Sequence, residues 1–248
     1  EFNVMIFQKR VKEIMEDIYN RGKIPILVGG TGFYIQAVLN DIAFTKEKQG
    51  DEIRADLQNL AKEKGASYLH HELQKVDKES AEAIHPNNIK RVIRALEYFQ
   101  STGQKFSDHN KEERQKGSPY NFLYLVLTMN RKVLYERIDK RVDQMMEEGL
   151  VKEVKQLLDA GYSRNLVSMQ GLGYKEIASA LFKECTMEEA VYRLKRDTRH
   201  FAKRQMTWFR RERDVTMINK DNFSNNHEIV NYIMKLAVEK GICSCREG

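Results

Sequence analysis

The sequence predicts a helix-rich α/β fold whose core is a parallel sheet. Three short apolar, partly β-branched runs predict buried strands, at residues 23–28, 121–128 and 215–219. Between these runs, apolar residues recur at helical spacing over most of the chain. The first run also leads directly into a glycine-rich turn, residues 29–32, and then into a helix. Strand, glycine turn and helix in this order can present backbone N–H groups to an anion.

The first 44 residues hold this unit and the helix before it. Residues 2–20 carry apolar side chains at helical spacing, and Arg21-Gly22 predicts the end of that helix. Residues 33–39 predict a second helix, with Thr31 as the one side chain able to contact a ligand at its start. The turn matches neither GxxxxGK[ST] nor GxGxxG. A ligand-binding turn and a tight turn that needs positive φ therefore remain equal alternatives.

Residues 45–84 are polar and dense in charge, and they show no strand pattern. They predict a small helical insertion domain with helices at residues 53–64 and 66–76. Arg54 is its best candidate for a phosphate contact, and a solvated arginine is the other interpretation. The predicted organisation therefore has three parts: a core at residues 1–44, the insertion at 45–84, and the continued core at 85–248.

A helix is predicted for residues 89–99, with Asn87 or Asn88 as its cap and Ser101-Thr-Gly103 as its end. Three cations near its start, Lys90, Arg91 and Arg94, oppose the helix dipole. An anionic partner would offset that cost. The following residues, 104–119, predict a polar loop.

The second half of the chain predicts further helices with basic residues near them. Residues 131–160 form a long helical region in which Arg137 and Arg141 share one face. Residues 170–176 form another glycine-containing turn that opens a helix, with Tyr174 and Lys175 beside its start. Residues 227–240 predict a closing helix.

The most basic segment, residues 190–213, holds nine Lys or Arg residues against two acids and has no Gly or Pro. Thr186 and Glu189 have capping-box spacing, which predicts the start of an unbroken helix. One face is mostly apolar: Val191, Leu194, Thr198, Phe201, Gln205 and Trp208. Arg204 lies at the edge of this face, where it can be partly desolvated. A solvated basic helix and a nucleic-acid or polyphosphate surface are the two interpretations.

Composition limits the class of protein further. The chain has 248 residues, a net charge of +6 and a pI near 9.0, which favour acidic partners. No apolar run has membrane-spanning length and no secretory signal is present, so we expect no membrane partner and a cytoplasmic protein. Three cysteines are too few for a disulfide framework, and we expect them to be reduced. The sequence begins Glu-Phe-Asn without Met, as if the opening elements of the fold lie before it.

Five motifs occur in a fixed order along the chain: PILVGGTGFY at residues 25–34, PNNIKRVIRALE at 86–97, RIDKRVD at 137–143, GLGYK at 171–175 and AKRQMTWFR at 202–210. Together they resemble the tRNA dimethylallyltransferase (isopentenyl-tRNA transferase) family. The resemblance covers the chain from its first residues to about residue 219. Each motif alone is modest, but five in order are highly specific.

The resemblance implies a P-loop NTPase-like, nucleotide-binding (ATP-binding) α/β core with a helical insertion domain. It implies transfer of a dimethylallyl group from dimethylallyl diphosphate to N6 of the adenosine next to the anticodon, assisted by Mg²⁺. Family members also have a P-loop and a general-base Asp, both of which would lie before residue 1 here. The zinc finger of eukaryotic members is not in this sequence. We expect a monomer that binds the anticodon stem-loop of tRNA.

Site residues follow from the resemblance and from the need to neutralise a diphosphate leaving group. The diphosphate candidates are Arg137, Arg141, Arg199 and Arg204, and the catalytic candidates are Arg204 and Thr31. The implied tRNA contacts are Thr31, Arg54, Lys90, Arg91, Arg94, Gln170, Gly173, Tyr174, Lys175, Lys203, Gln205, Trp208 and Arg210. Trp208 and Tyr34 can stack on bases, although a core position is the other interpretation of Trp208.

Two other functions use the same features. A nucleotide or small-molecule kinase can be built on the same kind of core with basic lids. A non-catalytic RNA-binding protein would need only the basic surface, and its binding would depend steeply on salt.

Overall fold

The computed structural model describes residues 2–44 and 50–244, and the chain divides into two compact units. The first unit comprises Glu1–Leu27 and Phe33–Tyr120, and the second comprises Val28–Gly32 and Asn121–Gly248. Within the described residues, no helix is both long and apolar enough to cross a membrane. Cys185 and Cys243 are free thiols, and Cys245 lies outside the described residues.

The first unit begins with helix α1, Val4–Asn20, as predicted. Asn3 caps it, because its side chain accepts hydrogen bonds from the backbone of Met5 and Ile6. Gly22 then takes a φ of 65°, which a glycine adopts without strain. Helix α2, Gly32–Leu39, is also where the sequence predicts it.

The first predicted strand is wrong. Residues 23–28 form no strand pairing, and Ile26 and Val28 are 83% and 87% exposed rather than buried. A strand needs a hydrogen-bonding neighbour, and the two strands that the described residues form pair only with each other. The apolar pattern alone could not supply that information.

The remaining helices of the first unit surround one apolar core. They are α3 Gly50–Lys64, α4 Ala66–Val76, α5 Lys78–Ala83, α6 Ile89–Thr102 and α7 Phe106–Gln115. The side chains of Leu57, Leu69, Leu73 and Val92 are all buried in this core. Helix α6 thus packs with α3 and α4 in one core, although residue 84 is a predicted domain boundary. The three-part division stays a prediction, and its residues 45–49 lie outside the described chain.

Helix α7 corrects the predicted polar loop at residues 104–119. The segment is too polar to show an apolar period, but two contacts fix it to the unit. Phe106 packs on Tyr98 with 5.7 Å between ring centroids, and the Ser107 backbone N–H donates to the buried Asp77 carboxylate at 2.9 Å. Burial alone would raise the pKa of Asp77, but hydrogen bonds from Ser80 and Ser107 outweigh it and hold that pKa below its usual value.

The second unit contains a two-stranded parallel sheet. Strand β1, Tyr124–Thr128, pairs along its whole length with β2, Val215–Asn219, which confirms two of the three predicted strands. The α-helices of its described residues are α8 Arg131–Glu147, α9 Leu150–Asp159, α10 Tyr174–Leu181, α11 Met187–Phe209 and α12 Asn226–Glu239. The predicted helical region at residues 131–160 consists of two helices, α8 and α9, separated at Gly149, which has a φ of 101°.

Helix α11 is the longest of the second unit, and its start is the predicted one. The Thr186 hydroxyl accepts a hydrogen bond from the Glu189 backbone at 3.2 Å. Its first half is anchored by the buried side chains of Ala190 and Leu194, which pack with Val142 of α8 and Ile177 of α10. The basic face of α11 is therefore held on a rigid element.

Tyr124 is buried at the start of β1, and its hydroxyl has no hydrogen-bond partner among the described residues. Its ring packs edge-on against Phe209, with 6.2 Å between centroids. Burial, with a smaller contribution from the Glu212 carboxylate, raises the pKa of Tyr124 to about 12.

We expect Tyr124→Phe to stabilise the protein by about 1 kcal/mol at neutral pH, because it removes a buried hydroxyl without a partner. The wild type should lose stability as the pH rises from 10 to 12. In that range the unfolded state has released the phenolic proton and the folded state still holds it. Thermal unfolding at pH 8 and pH 11 measures both effects, with the exposed Tyr162→Phe as control. A less stable Tyr124→Phe protein at pH 8 would contradict this description of the hydroxyl.

Candidate functional site

The glycine turn at residues 29–32 lies directly against helix α11. Gln205 Nε2 donates a 2.8 Å hydrogen bond to the Gly30 carbonyl. A Cβ on Gly30 would overlap the Gln205 amide, and one on Gly32 would overlap the Trp208 indole. None of the glycines in the turn has positive φ, so a turn that needs positive φ is the wrong interpretation. The close approach of α11 explains instead why residues 30 and 32 are glycines.

Thr31 is exposed between these two glycines. Trp208 is 38% exposed, so its ring is only partly buried where it meets Gly32. Arg204 lies one turn before Trp208 on α11, and residues four apart are neighbours on a helix surface. The second unit thus brings Thr31 close to the α11 face that carries Trp208 and Arg204. Tyr34 belongs to the first unit and packs on Phe7, with 4.9 Å between ring centroids.

A cavity of ≈ 260 Å³ opens between α8, α11 and the second glycine turn, and we call it the α8–α11 cavity. It combines two cations with an apolar wall. Its lining is Arg137, Ile138, Arg141, Val142, Met145, Leu172, Leu194 and Thr198. Arg137 contacts the Met129 sulfur at 3.8 Å, and Arg141 lies 4.0 Å from Glu148. Both guanidinium groups are therefore loosely held and able to engage an anion.

The four predicted diphosphate residues do not all meet there. Arg199 binds Asp139 of α8 at 2.5 Å, and Lys195 binds Asp143 at 2.6 Å, so these pairs tie α11 to α8 beside the cavity. Arg204 does not line the cavity. Its exposed guanidinium lies 5.8 Å from the Phe201 ring centroid.

A second cavity, of ≈ 440 Å³, lies beside α10 and α11, and we call it the α10–α11 cavity. Its lining residues are predominantly charged: Arg164, Gln170, Lys175, Glu176, Ala178, Ser179, Arg193, Arg196 and Asp197. The sequence predicted Gln170 and Lys175 as site residues but not the three arginines. Arg193 and Arg196 have the i, i+3 spacing of one helix face, which is the signal that could have identified them.

Arg164 is committed to the structure of this region. Its guanidinium binds both Glu184 carboxylate oxygens, at 2.5 and 2.9 Å, and lies 5.0 Å from the Phe182 ring centroid. Hydrogen bonds from Arg164 and from Ser179 lower the pKa of Glu184 to about 2. The Arg164 carbonyl also accepts from Gln170 Nε2 at 2.6 Å, which fixes the predicted Gln170 side chain to this loop.

The second glycine turn is built around a buried carboxylate. Gly173 has a φ of 96°, and its N–H donates to Glu176 Oε2 at 2.8 Å. The Tyr174 hydroxyl donates to Glu153 of α9, and this hydrogen bond raises the pKa of Tyr174. Tyr174 lines neither cavity, so its hydroxyl faces α9 in this structure.

The predicted tRNA contacts of the first unit fall into two groups. Arg54 and Arg94 both bind Glu97, a carboxylate that is only 1% exposed, at 2.7 and 3.2 Å. They therefore compensate a buried charge, which a solvated arginine would not do. Lys90 and Arg91 are exposed at the start of α6, where Asn88 is the cap residue without a side-chain hydrogen bond.

The last predicted contacts are Lys203, on the second half of α11, and Arg210, the residue that caps its end, and both are exposed. The arrangement of possible metal ligands in the described residues does not favour metal binding. Across residues 2–44 and 50–244, no group of three or more His, Cys, Asp or Glu side chains could hold an ion. The described chain thus offers no Mg²⁺ site made of protein ligands alone.

Taken together, these features define an α/β protein with two arginine-bearing cavities beside a basic helix, a class suited to binding phosphate groups. The sequence model of the IPP transferase family matches residues 1–212. A tRNA dimethylallyltransferase of Lachnoclostridium phytofermentans is 55% identical over 242 residues, which are 98% of this chain and 77% of that protein. One of Acetivibrio thermocellus is 47% identical over 93% of this chain and 74% of its own length. The chain therefore belongs to the IPP transferase family.

Solved structures agree with this assignment. The tRNA isopentenylpyrophosphate transferase of Bacillus halodurans is 41% identical, with a TM-score of 0.67 over 97% of this chain and 76% of that chain. A eukaryotic dimethylallyltransferase acting on tRNA is 27% identical, with a TM-score of 0.75 over 95% of this chain and 63% of that chain. These relatives confirm the predicted helix-rich α/β fold class.

Proposed function

We propose that this protein transfers a dimethylallyl group from dimethylallyl diphosphate to N6 of the adenosine adjacent to the anticodon of tRNA. The α8–α11 cavity is the observation that carries this proposal. Arg137 and Arg141 contribute two cations to its lining, and Ile138, Met145 and Leu172 contribute apolar surface. A diphosphate joined to a short branched hydrocarbon has the same division into charged and apolar parts.

The leaving group is the part of this reaction that most needs stabilisation. The bond between C1 of the prenyl group and the diphosphate oxygen breaks, a bond from N6 to C1 forms, and the N6 proton goes to a base. Negative charge accumulates on the departing diphosphate, so cations beside it stabilise the transition state more than the bound donor. In this proposal Arg137 and Arg141 supply that stabilisation, and the apolar wall keeps water from the allylic carbon.

We propose that the acceptor adenosine binds at the α11 face next to the first glycine turn. An adenosine must leave the anticodon-loop stack to be modified, which costs a few kcal/mol. Trp208 is partly exposed there and can stack on a base, while Lys203 and Arg210 can bind phosphates. Thr31 and Arg204 stay the proposed catalytic residues, as exposed neighbours of this face.

The proposal also includes a metal ion, an oligomeric state and a cellular location. Mg²⁺ would arrive with the diphosphate, because this ion is commonly held by substrate phosphates and few protein ligands. We further propose a monomer, and a cytoplasmic location where unmodified tRNA is available.

One experiment separates this function from a kinase and from a non-catalytic RNA-binding protein. The complete enzyme is incubated with unmodified tRNA, Mg²⁺ and dimethylallyl diphosphate labelled in the prenyl group. We expect the label on tRNA, at N6 of the adenosine next to the anticodon, as identified by nucleoside mass spectrometry. Phosphorylated product from ATP without labelled tRNA would support the kinase. Bound but unlabelled tRNA would support the RNA-binding protein.

A further inference from the structure

Met145 is the residue of α8 at which the α8–α11 cavity meets the second glycine turn. Its Cε methyl would lie 3.9 Å from a Cβ on Gly173, and Leu172 of the same turn lines the cavity with it. Leu150 Cδ2 would lie 3.5 Å from the same Cβ position, but Leu150 is buried and does not line the cavity. Met145 thus stands between the cavity and this part of the core.

The surroundings of Met145 leave the cavity little room to widen. Val142 and Leu194 also line it, and they are only 2% and 1% exposed. Met145 itself is partly buried and packs on the core that contains both of them. Close-packed core side chains can move little without losing contacts. The cavity of ≈ 260 Å³ is therefore bounded by side chains that are held from behind.

The spacing along α8 limits the length of hydrocarbon that fits beside the cations. Arg141 and Met145 are four residues apart, which is about 6 Å along the helix axis. Carbon–carbon bonds of about 1.5 Å in a zigzag give roughly 4 Å for a dimethylallyl chain and roughly 9 Å for a geranyl chain. One isoprene unit therefore fits between the levels of Arg141 and Met145, and two do not.

The lining offers a hydrocarbon no polar partner beyond the two arginines. Thr198 is the other polar residue among the described residues of the lining, and its hydroxyl donates to the Leu194 carbonyl at 2.7 Å. An apolar pocket discriminates between hydrocarbons by size, at about 10–200-fold for each methylene that does not fit. Selection in this cavity therefore depends on where its apolar lining ends.

We propose that Met145 sets the chain length of the prenyl donor and limits it to a single isoprene unit. This inference rests on the proposed function, which makes the α8–α11 cavity the donor site. A shorter side chain at this position extends the cavity toward Leu150 and admits geranyl diphosphate. Geranyl transfer is then the same substitution: the bond from C1 to the diphosphate oxygen breaks, the N6–C1 bond forms, and the N6 proton goes to the base.

The test measures how tightly dimethylallyl thiodiphosphate and geranyl thiodiphosphate bind to the complete enzyme. We expect the wild type to bind the geranyl compound on the order of a hundredfold more weakly, because the second isoprene unit does not fit. Met145→Ala should reduce this ratio by about tenfold or more. With geranyl diphosphate and unmodified tRNA it should also form a geranylated nucleoside that mass spectrometry detects.

Met146→Ala is the matched control. Met146 is the next residue of α8 and packs on the same core, but it does not line the cavity. The variant should lose a similar amount of packing and keep the wild-type ratio within about twofold. Equal changes of the ratio in Met145→Ala and Met146→Ala would overturn the role of Met145.

Met145→Phe tests the opposite direction, and its result does not depend on an enlarged cavity staying open. The larger side chain should fill the space of the prenyl group and weaken binding of dimethylallyl thiodiphosphate on the order of tenfold or more. Inorganic diphosphate has no hydrocarbon and should bind as it does to the wild type. Unchanged binding of dimethylallyl thiodiphosphate to Met145→Phe would also overturn the inference.

Failure of this inference and failure of the proposed function are distinguishable. Thiodiphosphate binding that depends on Met145 as expected, without any transfer to tRNA, would support the length limit and remove the transferase. Transfer of the dimethylallyl group to tRNA with donor binding indifferent to Met145 would do the reverse.

Discussion

Arg137→Ala/Arg141→Ala should lower the single-turnover rate of prenyl transfer by about 10²–10⁴-fold at saturating donor and RNA. Removing one preorganised group that stabilises developing charge costs about 10²–10³ in rate in known cases, and two groups that share one anion are not additive. The affinity for the anticodon stem-loop should change little, because these side chains line the α8–α11 cavity and not the proposed RNA surface. Rapid quenching with labelled donor measures the rate.

The same helix supplies the control. Lys132 and Lys140 are exposed on α8 and line neither cavity, so Lys132→Ala/Lys140→Ala removes equal charge without touching the proposed donor site. We expect its rate to stay within about threefold of wild type, since only long-range attraction is lost. If both double variants slow the reaction equally, Arg137 and Arg141 do not contact the diphosphate.

Gly32→Ala should be the most damaging single methyl addition in the glycine turn. The new Cβ would overlap the Trp208 indole, so either the turn or the ring must move. Overpacking of this kind typically costs about 1–3 kcal/mol. We expect a lower melting temperature and, because Trp208 is proposed to stack on the acceptor base, a loss of prenyl transfer on the order of a hundredfold.

Gly29→Ala is the matched variant, because a Cβ at that position meets nothing within 4 Å. It should keep near-wild-type stability and activity. Tryptophan fluorescence adds a direct readout, since Trp208 is the only tryptophan in the sequence and should report a moved ring in Gly32→Ala alone. Two variants with the same melting temperature and the same emission would contradict the close packing of Trp208 on Gly32.

Local patterns in the sequence predict local structure well here. The Thr186–Glu189 cap, the glycine that ends α6 and both strands of the sheet are where the pattern places them. These features depend on residues close together in the chain, so a short window of sequence contains the cause. The apolar face predicted for α11 is buried at Leu194 but exposed at Phe201 and Trp208.

Errors arise where structure depends on distant partners. Residues 23–28 have the composition of a strand but no paired neighbour, and α7 is polar but is held by Phe106 and by Asp77. The hydrogen bond of Gln205 to Gly30 joins residues 175 positions apart, so no local pattern could separate this role from RNA contact. Burial of Glu97 similarly assigns Arg54 to a structural ion pair.

The candidate site could likewise be predicted only in part from the sequence. Arg137 and Arg141 could be grouped from the sequence because they stand four residues apart on α8. The apolar lining of the cavity comes partly from α8 itself and partly from two other segments, the second glycine turn and α11, through Leu172 and Leu194. Arg204 is prominent in the basic run, but it does not line that cavity.

The central claim is that the α8–α11 cavity receives the prenyl donor. A crystal structure of the complete enzyme with a non-hydrolysable dimethylallyl thiodiphosphate tests it most directly. We expect diphosphate oxygens within hydrogen-bond distance of Arg137 and Arg141, and the hydrocarbon against Ile138, Met145 and Leu172. Donor bound elsewhere, with this cavity filled only by solvent, would contradict the account.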